Sequence, residues 1–235
     1  MRGKNVMYPE YNKVKNYISR AQDLLNTSRK MEDIFNMIMH CNAKRVCAEY
    51  YNDNNKITRY TYKKMEANCY KFARYISEQL KDIEKNKPII IKLTNGPHWG
   101  EIFWAILMSG FKPLLVSAST AKEGTQNLAN QAHCAAIITD DAFPYQTKKI
   151  AFEDIISDAE EGEFSPTWEN EAIFCSSGTT GDVKLMIYNG ENLCHQIGAA
   201  LSIPENSKDL MYPKSMGKIK ILAMVPLHHI FGFLK

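Results

Sequence analysis

Apolar residues along this 235-residue chain recur with two different periods, and the alternation between them predicts the order of its elements. Met31, Ile34, Phe35 and Ile38 fall at helical spacing. Val46 to Tyr51 reads as a strand, Asn52-Asp53-Asn54-Asn55 as a turn, and Ile57 to Tyr60 as the returning strand. Met65, Cys69, Phe72, Ala73, Ile76 and Leu80 then mark one face of a long helix, which ends in the charged turn Lys81 to Lys87. The run Ile89-Ile90-Ile91-Lys92-Leu93 is β-branched and nearly continuous, the pattern of a strand covered on both faces. Pro97 suits the first turn of a helix running to about Ser109. Pro113 to Val116 and Ala135 to Thr139 read as strands with a helix between them. This β-α-β-α rhythm predicts an α/β protein with a mostly parallel sheet between helical layers.

The second half changes character. Between Phe152 and Glu171 acidic residues cluster, among them Glu153, Asp154, Asp158, Glu160, Glu161 and Glu163. Neither their spacing nor a glycine turn matches a calcium loop, so they read as a solvated helix and linker. The apolar runs Ala172 to Cys175 and Leu185 to Tyr188 follow as strands. Asn189 can then cap a helix in which Leu193, Ile197, Ala200 and Leu201 share a face. Ile219 to Val225 reads as one more buried strand. The expected division is an irregular arm over 1–30, a first α/β subdomain over 31–170, and a hairpin with the start of a second subdomain over 171–235.

Composition narrows the function classes. Hydrophobic residues make up 45% and charged residues 23%, as in an ordinary globular protein. A net charge of +3, carried by scattered lysines, argues against nucleic acid as a partner. No apolar run is long enough to span a bilayer, and Met1-Arg2-Gly3-Lys4 precedes no apolar core of a signal peptide, so a cytoplasmic location is expected. The 6 cysteines include no Cys-x-x-Cys pair, and Cys69, Cys175 and Cys194 fall in apolar patterns, which predicts free thiols. His40-Cys41, His133-Cys134 and Cys194-His195 are adjacent pairs whose side chains would diverge by about 100° on a helix, a poor geometry for shared metal ligation.

The candidate chemistry lies in Ser176-Ser177-Gly178-Thr179-Thr180-Gly181-Asp182-Val183-Lys184. Two glycines let backbone amides approach an anion, four hydroxyls add donors, and Lys184 supplies the counter-charge. The GxxxxGK[ST] spacing is absent, and an apolar strand rather than a helix follows, so this is a phosphate loop inside a hairpin and not a Walker loop.

Ser176 to Lys184 resembles the signature loop of the adenylate-forming superfamily, which includes acyl-CoA synthetases, peptide-synthetase adenylation domains and luciferases. That loop usually reads Thr/Ser-Ser-Gly-Thr-Thr-Gly-x-Pro-Lys. Val183 stands where proline is usual, and Cys175 where an aromatic residue is common. Pro226-Leu227-His228-His229-Ile230-Phe231-Gly232 resembles a later family segment ending in a functional histidine. Arg59-Tyr60-Thr61-Tyr62, Asn95-Gly96-Pro97 and Gly110-Phe111-Lys112-Pro113 follow the family's order upstream. The resemblance implies the amino-terminal part of the large domain of such an enzyme, truncated within a helix near Lys235. It implies ATP held by Ser176, Ser177, Gly178, Thr179, Thr180, Gly181 and Lys184, with Mg2+ contacted by Ser176. Lys184 and His229 would be the catalytic residues. The implied reaction joins a carboxylic acid to AMP and then passes the acyl group to a thiol, coenzyme A first among candidates. The alternatives are a peptide-synthetase adenylation domain, a carrier-protein ligase, or an inactive fragment. Adenine and ribose contacts and the mobile carboxy-terminal portion of such an enzyme are expected to be missing, leaving the isolated chain inactive.

Overall fold

The computed structural model describes residues 29–51, 54–177 and 183–206, together with Ser19, Asp23 and Asn26; for residues 41–42, 176–177 and 200–206 it describes the backbone alone. Within the arm expected to be irregular, Ser19, Asp23 and Asn26 have helical backbone. Helix α1 covers Met31–Asn42, and the antiparallel pair β1 (Val46–Tyr51) and β2 (Ile57–Thr61) follows. Next come α2 (Tyr62–Gln79), β3 (Pro88–Lys92), α3 (Trp99–Met108), β4 (Lys112–Leu115), α4 (Lys122–Gln131) and β5 (Ala136–Thr139). The described part ends with β6 (Lys149–Ala151), α5 (Phe152–Asp158), β7 (Glu171–Ser177), β8 (Val183–Asn189) and α6 (Gly190–Asn206).

Among the described residues, which do not include the expected strand Ile219 to Val225, one six-stranded sheet runs in the order β6-β5-β3-β4-β7-β8. Its first five strands are parallel, and β8 turns back antiparallel to β7. The architecture is therefore α/β with a mostly parallel sheet, as the element rhythm predicts. The sheet is continuous across the expected boundary at 170/171. Leu114 and Leu115 of β4 pair with Ile173 and Phe174 of β7, and Lys112 Nζ meets Glu171 Oε2 at 2.6 Å where the two strands begin. Ladder pairing and this ion pair join the hairpin to the first unit, which the acidic linker in sequence conceals.

The strict alternation of strand side chains divides the core. Ile89, Ile91, Leu115, Ala136, Ile138, Ala172 and Phe174 face a large cluster built with α1, α2, α3, α5 and α6. Ile90, Leu114, Ile137 and Ile173 face a smaller cluster with Leu128 and Ala129 of α4. Ile89, Ile90 and Ile91 are all buried, which explains why β3 has no polar position until Lys92. At about 1.5–3 kcal/mol for each fully buried large apolar side chain, these two layers supply the main stabilisation.

Helix α3 is buried at every position but Gly100, because α2 covers the side turned away from the sheet. It begins two residues after Pro97: Gly96 O accepts the Trp99 N–H, and the ladder starts when Ile102 N reaches His98 O. Proline thus sits in the lead-in turn rather than the first helical turn. Ser109 Oγ donates to Ala105 O and Ala73 O, tying the end of α3 to α2. Gly110 follows at φ +79°, where a Cβ would approach Thr167 O to 2.9 Å, so this helix exit requires glycine. The three-residue strand β6 has no period long enough to be read from sequence.

Candidate functional site

The Ser176–Lys184 segment occupies a defined place in the sheet. β7 and β8 form an antiparallel ladder whose last pairs are Ser176↔Lys184 and Ser177↔Val183. Gly178, Thr179, Thr180, Gly181 and Asp182 connect them and lie outside the described residues, as do His228 and His229. A five-residue connection is longer than a tight two-residue hairpin turn, leaving room for several backbone amides. Because β7 is parallel to β4, β3 and β5, its end at Ser177 lies at the carboxyl edge of the sheet, where ligands bind in open α/β folds.

Among the described residues the hairpin is anchored from below and open above. Phe174 and Ala172 are buried, and the Phe174 ring meets Tyr188 edge-on at 5.1 Å between centroids. Lys184 shares its face of β8 with Met186 and Tyr188 and is solvent-exposed. Val183, Met186 and Ile187 are also exposed, so β8 is anchored chiefly through its β7 partner. At its far end, Asn189 Oδ1 accepts the Asn192 N–H at 2.9 Å while Asn192 Oδ1 accepts the Asn189 N–H at 3.2 Å. This reciprocal cap starts α6 at the residue expected from sequence. Gly190 follows against Arg29 O, a contact that leaves no space for a Cβ.

The neighbouring strand ends carry polar groups that sequence periodicity alone does not connect. After β4, Thr120 N bonds Ser117 O at 3.0 Å, Ser119 N bonds Ser117 Oγ at 3.2 Å, and the two serine hydroxyls lie 2.8 Å apart. At the end of β3, Lys92 is 4% exposed and its Nζ meets Asp141 Oδ2 at 2.8 Å. Tyr145 Oη donates to the same oxygen at 2.8 Å, and Phe143 N to Asp141 Oδ1 at 3.0 Å. Partial burial alone would raise the Asp141 carboxyl, but the bonds from Lys92, Tyr145 and Phe143 outweigh it and hold the group down at about 2.

A second polar group sits deeper. Glu101 is fully buried; its Oε1 accepts Tyr60 Oη at 2.7 Å and Asn68 Nδ2 at 3.0 Å, and its Oε2 lies 2.5 Å from His98 Nδ1. Burial, and then the bond to Glu101, pushes the Tyr60 phenol up. The one sequence signal for this group is a glutamate inside the apolar run Trp99 to Met108. His98, Thr94, Asp140 and Phe152 border a pocket of about 100 Å³ at the β3 and β5 ends, separated from the hairpin by β4.

Cys47, Cys69, Cys134, Cys175 and Cys194 are free thiols. Burial pushes Cys175, which precedes the loop, up to about 11, and Cys134 up to about 12. Such thiols are packing residues rather than nucleophiles. Among the described residues no three His, Cys, Asp or Glu side chains converge as a metal site, and no helix is long and apolar enough to cross a membrane.

Fold and hairpin together fit one family. The sequence model of the AMP-binding enzymes matches residues 39–235, and the chain belongs to that family. Among solved structures it resembles the Klebsiella oxytoca NpsA N-terminal subdomain, with 17% identity and a TM-score of 0.60 over 72% of this chain and 44% of that one. The same subdomain in complex with 3-hydroxybenzoyl-AMSN gives 18% identity and a TM-score of 0.61, over 72% and 43%. The nonribosomal peptide synthetase FmoA3 (S1046A) in its AMPPNP-bound form gives 12% and 0.64, over 92% of this chain and 22% of that one. No match was found among curated proteins. The chain thus spans less than half the length of these structural relatives, and the likeness at such identity concerns the fold.

Proposed function

We propose that this chain carries the polyphosphate-binding part of an ATP-dependent ligase that activates a carboxylic acid as its acyl-adenylate. The observation that carries the proposal is the register Ser176↔Lys184 at the carboxyl edge of the sheet in a member of the AMP-binding enzymes. A carboxylate is a poor acyl donor because oxide is a hopeless leaving group. Attack of its oxygen on the α-phosphorus of ATP breaks the bond to the β-phosphate bridge and expels pyrophosphate. Negative charge gathers on the departing pyrophosphate, so loop amides, the hydroxyls of Ser176, Ser177, Thr179 and Thr180, and the Lys184 ammonium stabilise the transition state more than the ground state. Gly178 and Gly181 let the backbone come close enough to donate.

Magnesium fits this donor set as a phosphate-bound ion. Mg2+ commonly takes most of its oxygens from substrate phosphates and water, and Ser176 is the proposed protein ligand. When bound, the ion supplies charge neutralisation on the polyphosphate. His229 is proposed to orient the attacking carboxylate. Transfer to a thiol follows, with coenzyme A as the first proposed acceptor. A carrier-protein thiol is the second reading, because the solved relatives include an artificially fused adenylation-PCP di-domain from Klebsiella oxytoca.

The 235-residue chain and any longer protein containing it make different demands. Tripolyphosphate binding is expected of the chain, and pyrophosphate exchange into ATP, dependent on added carboxylic acid, of the longer protein. Robust exchange by residues 1–235 alone would refute the division. Acid-dependent exchange absent from the longer protein would refute the activity. Assaying transfer to coenzyme A against transfer to a phosphopantetheinylated carrier protein separates the two acceptors.

A further inference from the structure

The strand order places a crevice beside the hairpin. β3 leads through α3 to β4, whereas β4 leads through α4 back past β3 to β5. α3 belongs to the large cluster on one face of the sheet, and Leu128 and Ala129 of α4 to the smaller cluster on the other. The loops leaving β3 and β4 therefore depart to opposite faces, and their carboxyl ends part. Such reversal points are where open α/β sheets receive ligands. β7 is the next strand beyond β4, so the turn after β4 stands between this crevice and Ser176. Leu115, the last residue of β4, pairs with Phe174; Ser117, in the turn after β4, and Ser176, still in β7, each lie two residues further along the chain.

The two sides of the crevice differ in what they can offer. On the β3 side, the Thr94 amide and hydroxyl both donate to Asp140 Oδ2, at 3.3 and 3.0 Å. That hydroxyl is committed. On the β4 side, Ser117 and Ser119 share a single hydroxyl–hydroxyl bond, and Ser117 Oγ also accepts the Ser119 amide. Whichever serine donates in the shared bond, the other keeps its own hydroxyl proton. The pair thus presents one uncommitted donor in either arrangement. Ser119 is exposed and Ser117 half-exposed. A phosphate oxygen, which only accepts, is the complementary group.

We infer that Ser117 and Ser119 form a second hydroxyl arm of the polyphosphate site, donating to a phosphate oxygen of the nucleotide from the β4 side. The inference rests on the proposed function of the Ser176–Lys184 loop. It assigns these serines to binding and orientation of the polyphosphate, with no covalent step.

Titration of the 235-residue chain with inorganic tripolyphosphate, with thermal melting of each variant alongside, tests it. The Ser117→Ala/Ser119→Ala variant is expected to bind tripolyphosphate about tenfold more weakly, as for loss of one hydrogen bond to a charged group. Melting should be unchanged, and Ser119→Thr with Ser117 retained should restore tripolyphosphate affinity. Lys184→Ala is the parallel control. If Lys184→Ala weakens tripolyphosphate binding and the double serine variant does not, the serine arm is overturned while the loop assignment stands. If neither variant weakens it, or the chain binds no tripolyphosphate, the loop assignment falls and the arm with it. Weaker binding accompanied by lowered melting, or failure of Ser119→Thr to restore binding, would show that the serines only shape the turn, and would also overturn the inference.

Discussion

Lys92 and Lys184 both stand at the carboxyl edge of the same sheet, and their surroundings are opposite. Lys92 ends β3, is 4% exposed, and is held by Asp141. Lys184 opens β8 beside the Ser176 backbone and faces solvent. The contrast extends to their regions. Around β3 and α3, polar groups answer one another: Asp141 takes Lys92, Tyr145 and Phe143, and Glu101 takes Tyr60, Asn68 and His98. Around β7 and β8, hydroxyls, glycines and a lysine collect in sequence with an apolar anchor only beneath them. A polar group satisfied internally contributes to stability and has little left for a ligand. A polar group at an open strand end contributes little to stability and keeps its donors. Substitutions should therefore separate stability from binding along this division.

Glu101→Ala should produce the largest effect and act on stability. It removes a fully buried carboxylate and leaves Tyr60, Asn68 and His98 without their common acceptor. The expected loss is about 3–5 kcal/mol, read by urea or thermal unfolding. Tripolyphosphate affinity, corrected for the folded fraction, should not change. A large loss of affinity in the folded variant would break the division between the regions.

Lys184→Ala should show the reverse. In a protein competent for adenylation, losing a donor that acts on developing phosphate charge costs roughly 2.7–4 kcal/mol of transition-state stabilisation. An exposed lysine at a strand edge contributes little to folding, so melting should match the wild type. Unchanged turnover with unchanged melting would remove Lys184 from the site.

Lys92 tests the closed region through pH. The Asp141 carboxyl is held at about 2 in the folded chain, below the ordinary unfolded value near 3.9. Its stabilising contribution is therefore present above about pH 4 and is lost as pH falls towards about 2. Lys92→Met removes one of the groups that hold the carboxyl down, so the variant should lose less stability over that acid range. The difference should be about 1–2 kcal/mol between pH 5 and pH 2, measured by urea unfolding at each pH. An identical acid dependence in both proteins would assign the holding of Asp141 to Tyr145 and Phe143 alone.

His229→Ala extends the comparison to a residue outside the described structure. A histidine that orients the carboxylate should matter more for adenylate formation than for transfer of a preformed adenylate. A tenfold loss confined to the first half-reaction corresponds to about 1.4 kcal/mol. Equal losses in both steps, accompanied by lowered melting, would make it a core residue of the closed kind.

These tests follow how the structure was written into the chain. Local periodicity was legible: the 46–51 and 57–61 strands, the long α2 face and the isoleucine run of β3 all depend on neighbours in sequence. The hairpin was legible because apolar strands flank its polar loop on both sides. The strand order, the short β6 and the unbroken sheet across 170/171 depend on contacts far apart in sequence. The Glu101 group joins residues 41 and 33 positions apart, and only an odd glutamate in an apolar helix hinted at it. The turn Ser117-Ala118-Ser119-Thr120 carries no periodic signal in sequence, and only the pairing of β4 with β7 brings it beside Ser176. Its position, rather than its composition, suggests a role.

The smallest effect should come from the junction between the open hairpin and the helix behind it. Asn189 and Asn192 exchange side-chain bonds to each other's backbone amides, so each side chain satisfies one amide. Asn189→Ala removes the N-cap acceptor and should cost about 1 kcal/mol, whereas Asn189→Ser or Asn189→Asp should recover most of it. The loss should be local, because Leu193 and Cys194 still anchor α6 in the large cluster. Hydrogen exchange should therefore quicken at the amides of Gly190 to Leu193 while β3 and α3 keep their protection. If the cap loss also weakens tripolyphosphate binding, β8 and Lys184 depend on the helix start for their position, and the open region is braced from behind. If binding is untouched, pairing with β7 alone is enough to hold Lys184 in place.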